Sequence, residues 1–136
     1  MQPIQTPFAP HALGPYQQGQ KVGNLIFFSG QIALSLEGKL IDGDITDQTR
    51  QVLDNINNLL ISQNLSPQNV CKTTVFLTDL NNFQTVNEIY AKFFGQHKPA
   101  QTCIEVSELP LGAVIEIEII AETEKKNLLQ KNSYVN

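Results

Sequence analysis

Apolar and polar residues recur along this chain in two periods, and the switches between them predict its elements. Ile45, Thr49, Val52, Leu53, Ile56, Leu59 and Leu60 stand three and four apart, which makes one apolar stripe on a helix. Asp44 is placed to cap its start, and Asn64, with Pro67 just beyond, marks its stop. Phe83, Val86, Asn87, Tyr90, Phe93 and Phe94 form a second stripe, with Asp79 as its cap and Gly95 as its close. Elsewhere the period drops to two. Val70 to Thr78 is β-branched at almost every second position and reads as a strand. The run from Tyr16 to Leu34 reads as a hairpin that turns at Gly23-Asn24. Pro3, Pro7, Pro10, Gly14 and Pro15 predict an irregular N-terminal arm, and residues 35–44 a loop.

The stretch from Pro99 to Ala121 reads as two strands joined by a Pro/Gly-marked loop. Gln101, Cys103 and Glu105 alternate with Thr102, Ile104 and Val106, while Glu116 and Glu118 alternate with Ile115, Ile117 and Ile119. The predicted order is β-β-α-β-α-β-β, a two-layer α+β domain with two helices on one face of a mixed sheet. The other face is then expected to carry Gln101, Cys103, Glu105, Glu116 and Glu118, interleaved with Val114 and Ile120. Taken alone, such a face is the ordinary wet side of an antiparallel sheet. It also suits a partly polar subunit interface, where small-molecule clefts are common.

Composition narrows the possibilities. The chain has 136 residues, and 41% hydrophobic with 16% charged residues describes an ordinary globular domain. Its nine Lys and Arg are scattered and the net charge is −4, which argues against nucleic acid and anionic membranes as partners. Cys71 and Cys103 lie far apart without CxxC spacing, so neither a disulfide framework nor a zinc site is suggested. No apolar run approaches the ~20 residues of a membrane span, and no leader pattern opens the chain, so a cytoplasmic protein with reduced thiols is expected.

Periodicity gives no reaction; the motifs do. Gly14-Pro15-Tyr16, Ser29-Gly30-Gln31 and the string from Lys72 to Leu80 resemble the Rid family, the reactive intermediate deaminases also called YjgF. Val86-Asn87 with Tyr90 and Phe93-Phe94 fit the same pattern. So does Pro99-Ala100-x-x-Cys103-x-Glu105-Val106, followed by Ile115-Glu116-Ile117-Glu118. The resemblance covers roughly residues 12 to 122 and keeps the family's order. It implies a chorismate-mutase-like fold over residues 1–122, assembled as a homotrimer with clefts between subunits; residues 123–136 lie outside the resemblance and read from their own composition as a polar extension. It further implies hydrolysis of 2-aminoacrylate- or 2-iminobutyrate-type substrates to 2-oxo acids and ammonia, with no metal or organic cofactor.

Carried over by position, the cleft would hold Tyr16, Ser29, Asn87, Gln101, Cys103 and Glu116. Imine hydrolysis needs a water to attack C2 and ammonia to leave, and Glu116 suits the role of orienting that water and taking its proton. The main chain around Cys103 would hold the water and the substrate carboxylate. Ordinary structural roles compete for each residue. Tyr16 would cover a sheet edge, Asn87 would be a satisfied buried amide, and Cys103 a small buried side chain. Ser29 has no His or Lys at a spacing that would activate it. His11 and His97 read as surface residues, and Glu105 and Glu118 as solvated or interfacial charges.

One position departs from the family pattern. Deaminases of the family place a carboxylate-clamping arginine after Pro-Ala; this chain has Gln101. A neutral amide replaces a bidentate, charge-assisted donor. Two function classes therefore remain: a hydrolase with weakened or altered carboxylate recognition, and a non-catalytic trimer that binds a metabolite or a protein partner. Ribonuclease activity is a third reading, disfavoured by the acidic charge balance.

Overall fold

The computed structural model describes residues 1–124, in which one six-stranded sheet carries two helices. Helix α1 (Ile45–Ser62) starts on a reciprocal pair of bonds. The Asp47 amide donates to the Asp44 carboxylate at 3.0 Å, and the Asp44 amide donates to the Asp47 carboxylate at 3.3 Å. This box satisfies amides that a helix start leaves without partners. The Asp47 amide in particular holds the Asp44 carboxyl below its usual range. At the far end Asn64 takes a left-handed φ of 58°, which stops the helix where the sequence predicts. Helix α2 (Phe83–Phe94) closes at Gly95, whose φ is 63°. Asp79 does not cap α2 directly: it accepts from the Asn81 amide at 2.9 Å and caps a short 3-10 turn, Leu80–Asn82, that leads into the helix.

The strands are β1 (Gln2–Ile4), β2 (Gly19–Val22), β3 (Leu25–Gln31), β4 (Val70–Leu77), β5 (Ala100–Glu105) and β6 (Ile115–Glu122). Their spatial order is β1-β2-β3-β6-β4-β5, so the last strand in sequence lies near the middle of the sheet. Strands β4 and β5 run parallel, joined across α2, and every other pairing is antiparallel. The core forms where the helix stripes meet the sheet. Val52, Ile56, Leu59 and Leu60 of α1, with Val86 and Phe94 of α2, bury against Ile115, Ile117, Ile119 and Ala121 of β6.

The structure departs from the predicted arrangement in three places. The N-terminal arm contains β1, which pairs antiparallel with β2 through Gln2↔Lys21 and Ile4↔Gly19. Pro3 lacks an amide, and an outermost strand tolerates that. Buried Gln18 then ties down the rest of the arm: its carbonyl accepts from the Thr6 amide at 2.6 Å, and its amide donates to the carbonyls of Thr6, Ala9 and Pro10. His97 is half-buried rather than a surface residue, with Nε2 2.6 Å from the Val70 carbonyl oxygen.

The third departure concerns the polar strands. In the sheet Gln101 pairs with Thr73, Cys103 with Val75 and Glu105 with Leu77, and those β4 residues are buried under the helices. Gln101, Cys103 and Glu105 therefore face the helix layer. Glu116 and Glu118 pair with Phe76 and Thr74 and face the open side. The two polar rows lie on opposite faces, not on one. Alternation shows which residues of one strand share a face, but only pairing sets the phase between strands. An edge strand under the margin of α2 is half covered, so polar residues can occupy its helix side.

At the C-terminal end of the sheet, the Asn69 amide donates to the carbonyls of Glu122 and Glu124 at 3.1 and 2.9 Å. The polar extension expected over 123–136 lies outside the described residues beyond Glu124.

Candidate active site

Strand β3 loses register with β6 between Phe28 and Gln31, and this irregularity turns Ser29 and Gly30 toward a cavity of about 190 Å³. Glu116 reaches that cavity across Gly30, where a Cβ would sit only 2.9 Å from the carboxyl carbon. A bare Cα is thus a condition for the position of the carboxylate. Burial pushes the Glu116 carboxyl above its usual range, and the neighbouring Glu118 adds to the rise. Glu116 makes no hydrogen bond or ion pair among the described residues. It is a carboxylate free to accept a proton.

Two hydroxyls share the cavity wall, each already oriented. The Tyr16 oxygen accepts from the Leu13 amide at 3.1 Å, which leaves its own proton to be donated. The Ser29 hydroxyl donates to the Gln17 carbonyl at 2.6 Å, so only its lone pairs face a ligand. Ser29 is a fixed acceptor, not a nucleophile. His11, expected as a surface residue, is exposed but also lines this cavity.

The other expected site residues cluster elsewhere. Gln101 donates from Nε2 to Oδ1 of Asn87 at 3.2 Å, linking β5 to α2. Nearby, the Tyr90 hydroxyl lies 2.7 Å from Oγ1 of Thr73. Burial raises the Tyr90 phenol, and hydrogen bonds with Thr73 and Gln101 oppose the rise. Cys103 packs against the main core, and burial raises its thiol too, which disfavours the thiolate a nucleophile requires. Glu105 is exposed, as expected, and also accepts from the Leu80 amide at 2.9 Å.

Within one chain the six residues therefore form two groups. Tyr16, Ser29 and Glu116 line the cavity on one side, while Asn87, Gln101 and Cys103 lie along the β5–α2 edge. Strand β4 intervenes, so β6 and β5 are about 10 Å apart in the plane of the sheet. The structure does not bring the two groups together in one subunit. Sequence reasoning also missed Gln18, whose only signal is an amide just after the breaker-rich arm, and Asn55. Buried Asn55 donates to the carbonyls of Ile32 and Leu34 at 3.3 and 3.0 Å, and so fixes the backbone under the cavity. Among the described residues, no three His, Cys, Asp or Glu side chains group as metal ligands.

A mixed sheet backed by two helices, with a partly buried carboxylate over a bare glycine on a cavity wall, defines a small two-layer α+β protein. The chain belongs to the Rid (YjgF) family: the family model described as Endoribonuclease L-PSP matches residues 6–123. The chain is 42% identical over 121 residues to the putative reactive intermediate deaminase TdcF of Escherichia coli, covering 87% of this chain and 94% of that protein. It is 48% identical over 119 residues to the chloroplastic Reactive Intermediate Deaminase A of Arabidopsis thaliana, covering 87% and 64% of the two chains. The crystal structure of E. coli TdcF with bound serine shares the fold with a TM-score of 0.84 at 41% identity, over 90% of this chain and 98% of that one.

Proposed function

We propose that this protein is a hydrolase of 2-imino and 2-enamino acids, acting in clefts between the subunits of a homotrimer. The observation that carries the reading is the Glu116 carboxylate, uncommitted and raised in pKa, on the wall of a cavity sized for a small metabolite. A base is most effective when its pKa lies near the working pH. Relatives named reactive intermediate deaminases support the reaction class, and TdcF with bound serine supports a ligand carrying a carboxylate and an amine.

In the reaction, an enamine first takes a proton at C3 and gives one up from nitrogen, becoming the imine. Water then attacks C2 while Glu116 accepts its proton, giving a tetrahedral carbinolamine. Return of a proton to nitrogen lets the C–N bond break, and the products are a 2-oxo acid and ammonia. Tyr16 donates toward the developing polar groups and Ser29 accepts from them. The main chain around Cys103 of a second subunit holds the water and the substrate carboxylate.

The division of the site supports this assembly. One chain supplies the Glu116 wall and the next supplies the Gln101 edge. The open sheet face is suited to such contact: Phe27 is 45% and Ile104 43% exposed, and Phe76 and Ile120 are half-buried between them. Gln101 weakens carboxylate recognition. A hydrogen bond to a charged partner is worth about 1.5–3 kcal/mol against about 1 for a neutral pair, so exchanging an arginine for glutamine costs about twofold to thirtyfold in rate.

The test is to generate 2-iminobutyrate with a dehydratase and to follow 2-oxobutyrate release. Acceleration over buffer that disappears in Glu116→Gln supports the hydrolase; no acceleration at high protein concentration rejects it. The second reading, a non-catalytic binding module, is favoured by one observation: Gln101 is held by Asn87 and not offered outward. Deamination that rises from nothing in Gln101→Arg would establish it. An RNA substrate would call for clustered cations, and the chain has nine Lys and Arg against thirteen Asp and Glu. No described helix is long and apolar enough to cross a membrane.

A further inference from the structure

The ladder between β3 and β6 ends at the pair Gln31↔Ile117. Glu116 and residues 32–34 lie just beyond that pair, and Glu116, Ile32 and Leu34 all line the cavity. Glu116 keeps its partner in β4, Phe76, but pairing with β3 does not fix it against the other side of the cavity. Apolar contact there is modest. Ile32, Leu34 and Ala113 form a small cluster separate from the main core, with Leu40 and Leu109 packed against it.

Helix α1 spans that gap with two buried amides. Gln48 and Asn55 share one face of the helix, about 10 Å apart along its axis, and are 4% and 2% exposed. Oε1 of Gln48 accepts from the Val114 amide at 3.0 Å, two residues before Glu116. Nδ2 of Asn55 donates to the carbonyls of Ile32 and Leu34 at 3.3 and 3.0 Å, just after β3 ends. Gln51 sets the orientation of this second amide by donating from Nε2 to Oδ1 of Asn55 at 3.0 Å. Buried main-chain groups outside a ladder need such partners. Here one helix satisfies three of them, on the two segments that flank the site.

We propose that Gln48 and Asn55 are positioning residues of the site: through α1 they hold the Glu116 carboxylate at a set distance from Ile32 and Leu34, and this spacing governs the rate of the reaction. That a rate is at stake rests on the hydrolase reading above. Neither amide touches the ligand; both act through the main chain they bind. A helix is a more precise mount than a loop, and the segments it holds here belong to no strand. A reacting group misplaced by about 1 Å can lose about a hundredfold in rate, so small slippage at these bonds is enough to be read.

The test separates position from stability with three variants. Gln48→Met and Asn55→Leu keep the side-chain volume and leave buried main-chain groups unpaired, so both lower the melting temperature. Gln48→Glu keeps an acceptor for the Val114 amide but buries an acid, so it lowers the melting temperature as well. Each is assayed well below its own melting temperature, with 2-iminobutyrate as substrate and the fold checked by circular dichroism. Gln48→Met and Asn55→Leu are expected to lose about tenfold in kcat with KM changed less than about twofold, while Gln48→Glu stays within about twofold of wild type. A 13C NMR titration of the Glu116 carboxyl reads its position without any activity. The raised pKa moves toward the ordinary carboxylate range in the first two variants and holds in Gln48→Glu. Rates that follow melting temperature across all three variants, or kcat and titration both unchanged in Gln48→Met and Asn55→Leu, overturn the proposal. Failure of the hydrolase reading is separable. Wild-type protein that releases no 2-oxo acid, but whose Glu116 titration moves in these variants, keeps the positioning role and loses only the reaction. Hydrolysis that both variants leave intact does the reverse.

Discussion

Around Glu116, main chain sets the geometry: Gly30 gives it room, Ser29 is fixed to the Gln17 carbonyl and Tyr16 to the Leu13 amide. Around Gln101, side chains hold one another: Gln101 binds Asn87, and Tyr90 lies against Thr73. The first arrangement leaves reactive atoms uncommitted, and the second uses them up. A wall whose carboxylate has no partner is built for a ligand. A wall whose amides are paired contributes shape and stability.

Changes on the first wall should therefore be large and changes on the second modest. Glu116→Gln removes the base and is expected to lower kcat for imine hydrolysis about a hundredfold or more, read as 2-oxo acid release. The same variant should gain stability. Because burial raises the folded-state pKa of Glu116, its contribution to stability is present below the ordinary carboxylate pKa and is lost as pH rises through the raised value. Thermal melts should place Glu116→Gln above wild type near pH 8 and level with it near pH 4. Gly30→Ala drives a methyl into the Glu116 carboxyl; a displaced base predicts about a tenfold to hundredfold loss in kcat with the fold intact by circular dichroism.

On the second wall the sign reverses. Gln101→Arg is expected to raise kcat/KM for carboxylated imines about twofold to thirtyfold, mostly through KM. Asn87→Ala should be the smallest effect: it frees Gln101 from one bond and costs about 1 kcal/mol in denaturant unfolding. Equal losses from Glu116→Gln and Asn87→Ala would erase the distinction between the walls.

Much of the frame was legible because local rules dominate there. The Asp44 cap, the stripe to Leu60, the Asn64 stop and the Gly23 turn each depend on a few consecutive residues. What could not be read depends on pairing between distant segments. The sequence shows that Cys103 and Gln101 share a face, but the β4–β5 register decides that this face meets α2 rather than Glu116. Strand β1 escaped notice because three residues containing Pro3 carry almost no strand signal until β2 offers an edge. The anchoring amides of Gln18 and Asn55 resemble any surface amide until the carbonyls they satisfy are known. Glu116, Tyr16 and Ser29 were assigned by motif resemblance, and the structure places all three on one cavity.

The central claim is that a working cleft takes its Glu116 wall from one subunit and its Gln101 edge from another. Subunit mixing tests it directly. Glu116→Gln and an edge variant, Gln101→Glu with Cys103→Phe, are each prepared inactive, then unfolded together in equal amounts and reassembled. The account predicts that about a quarter of the clefts in the mixture pair two intact walls, so that imine hydrolysis returns to about a quarter of the wild-type level. A mixture as inactive as its two components would show that the site lies within a single chain and would contradict the account.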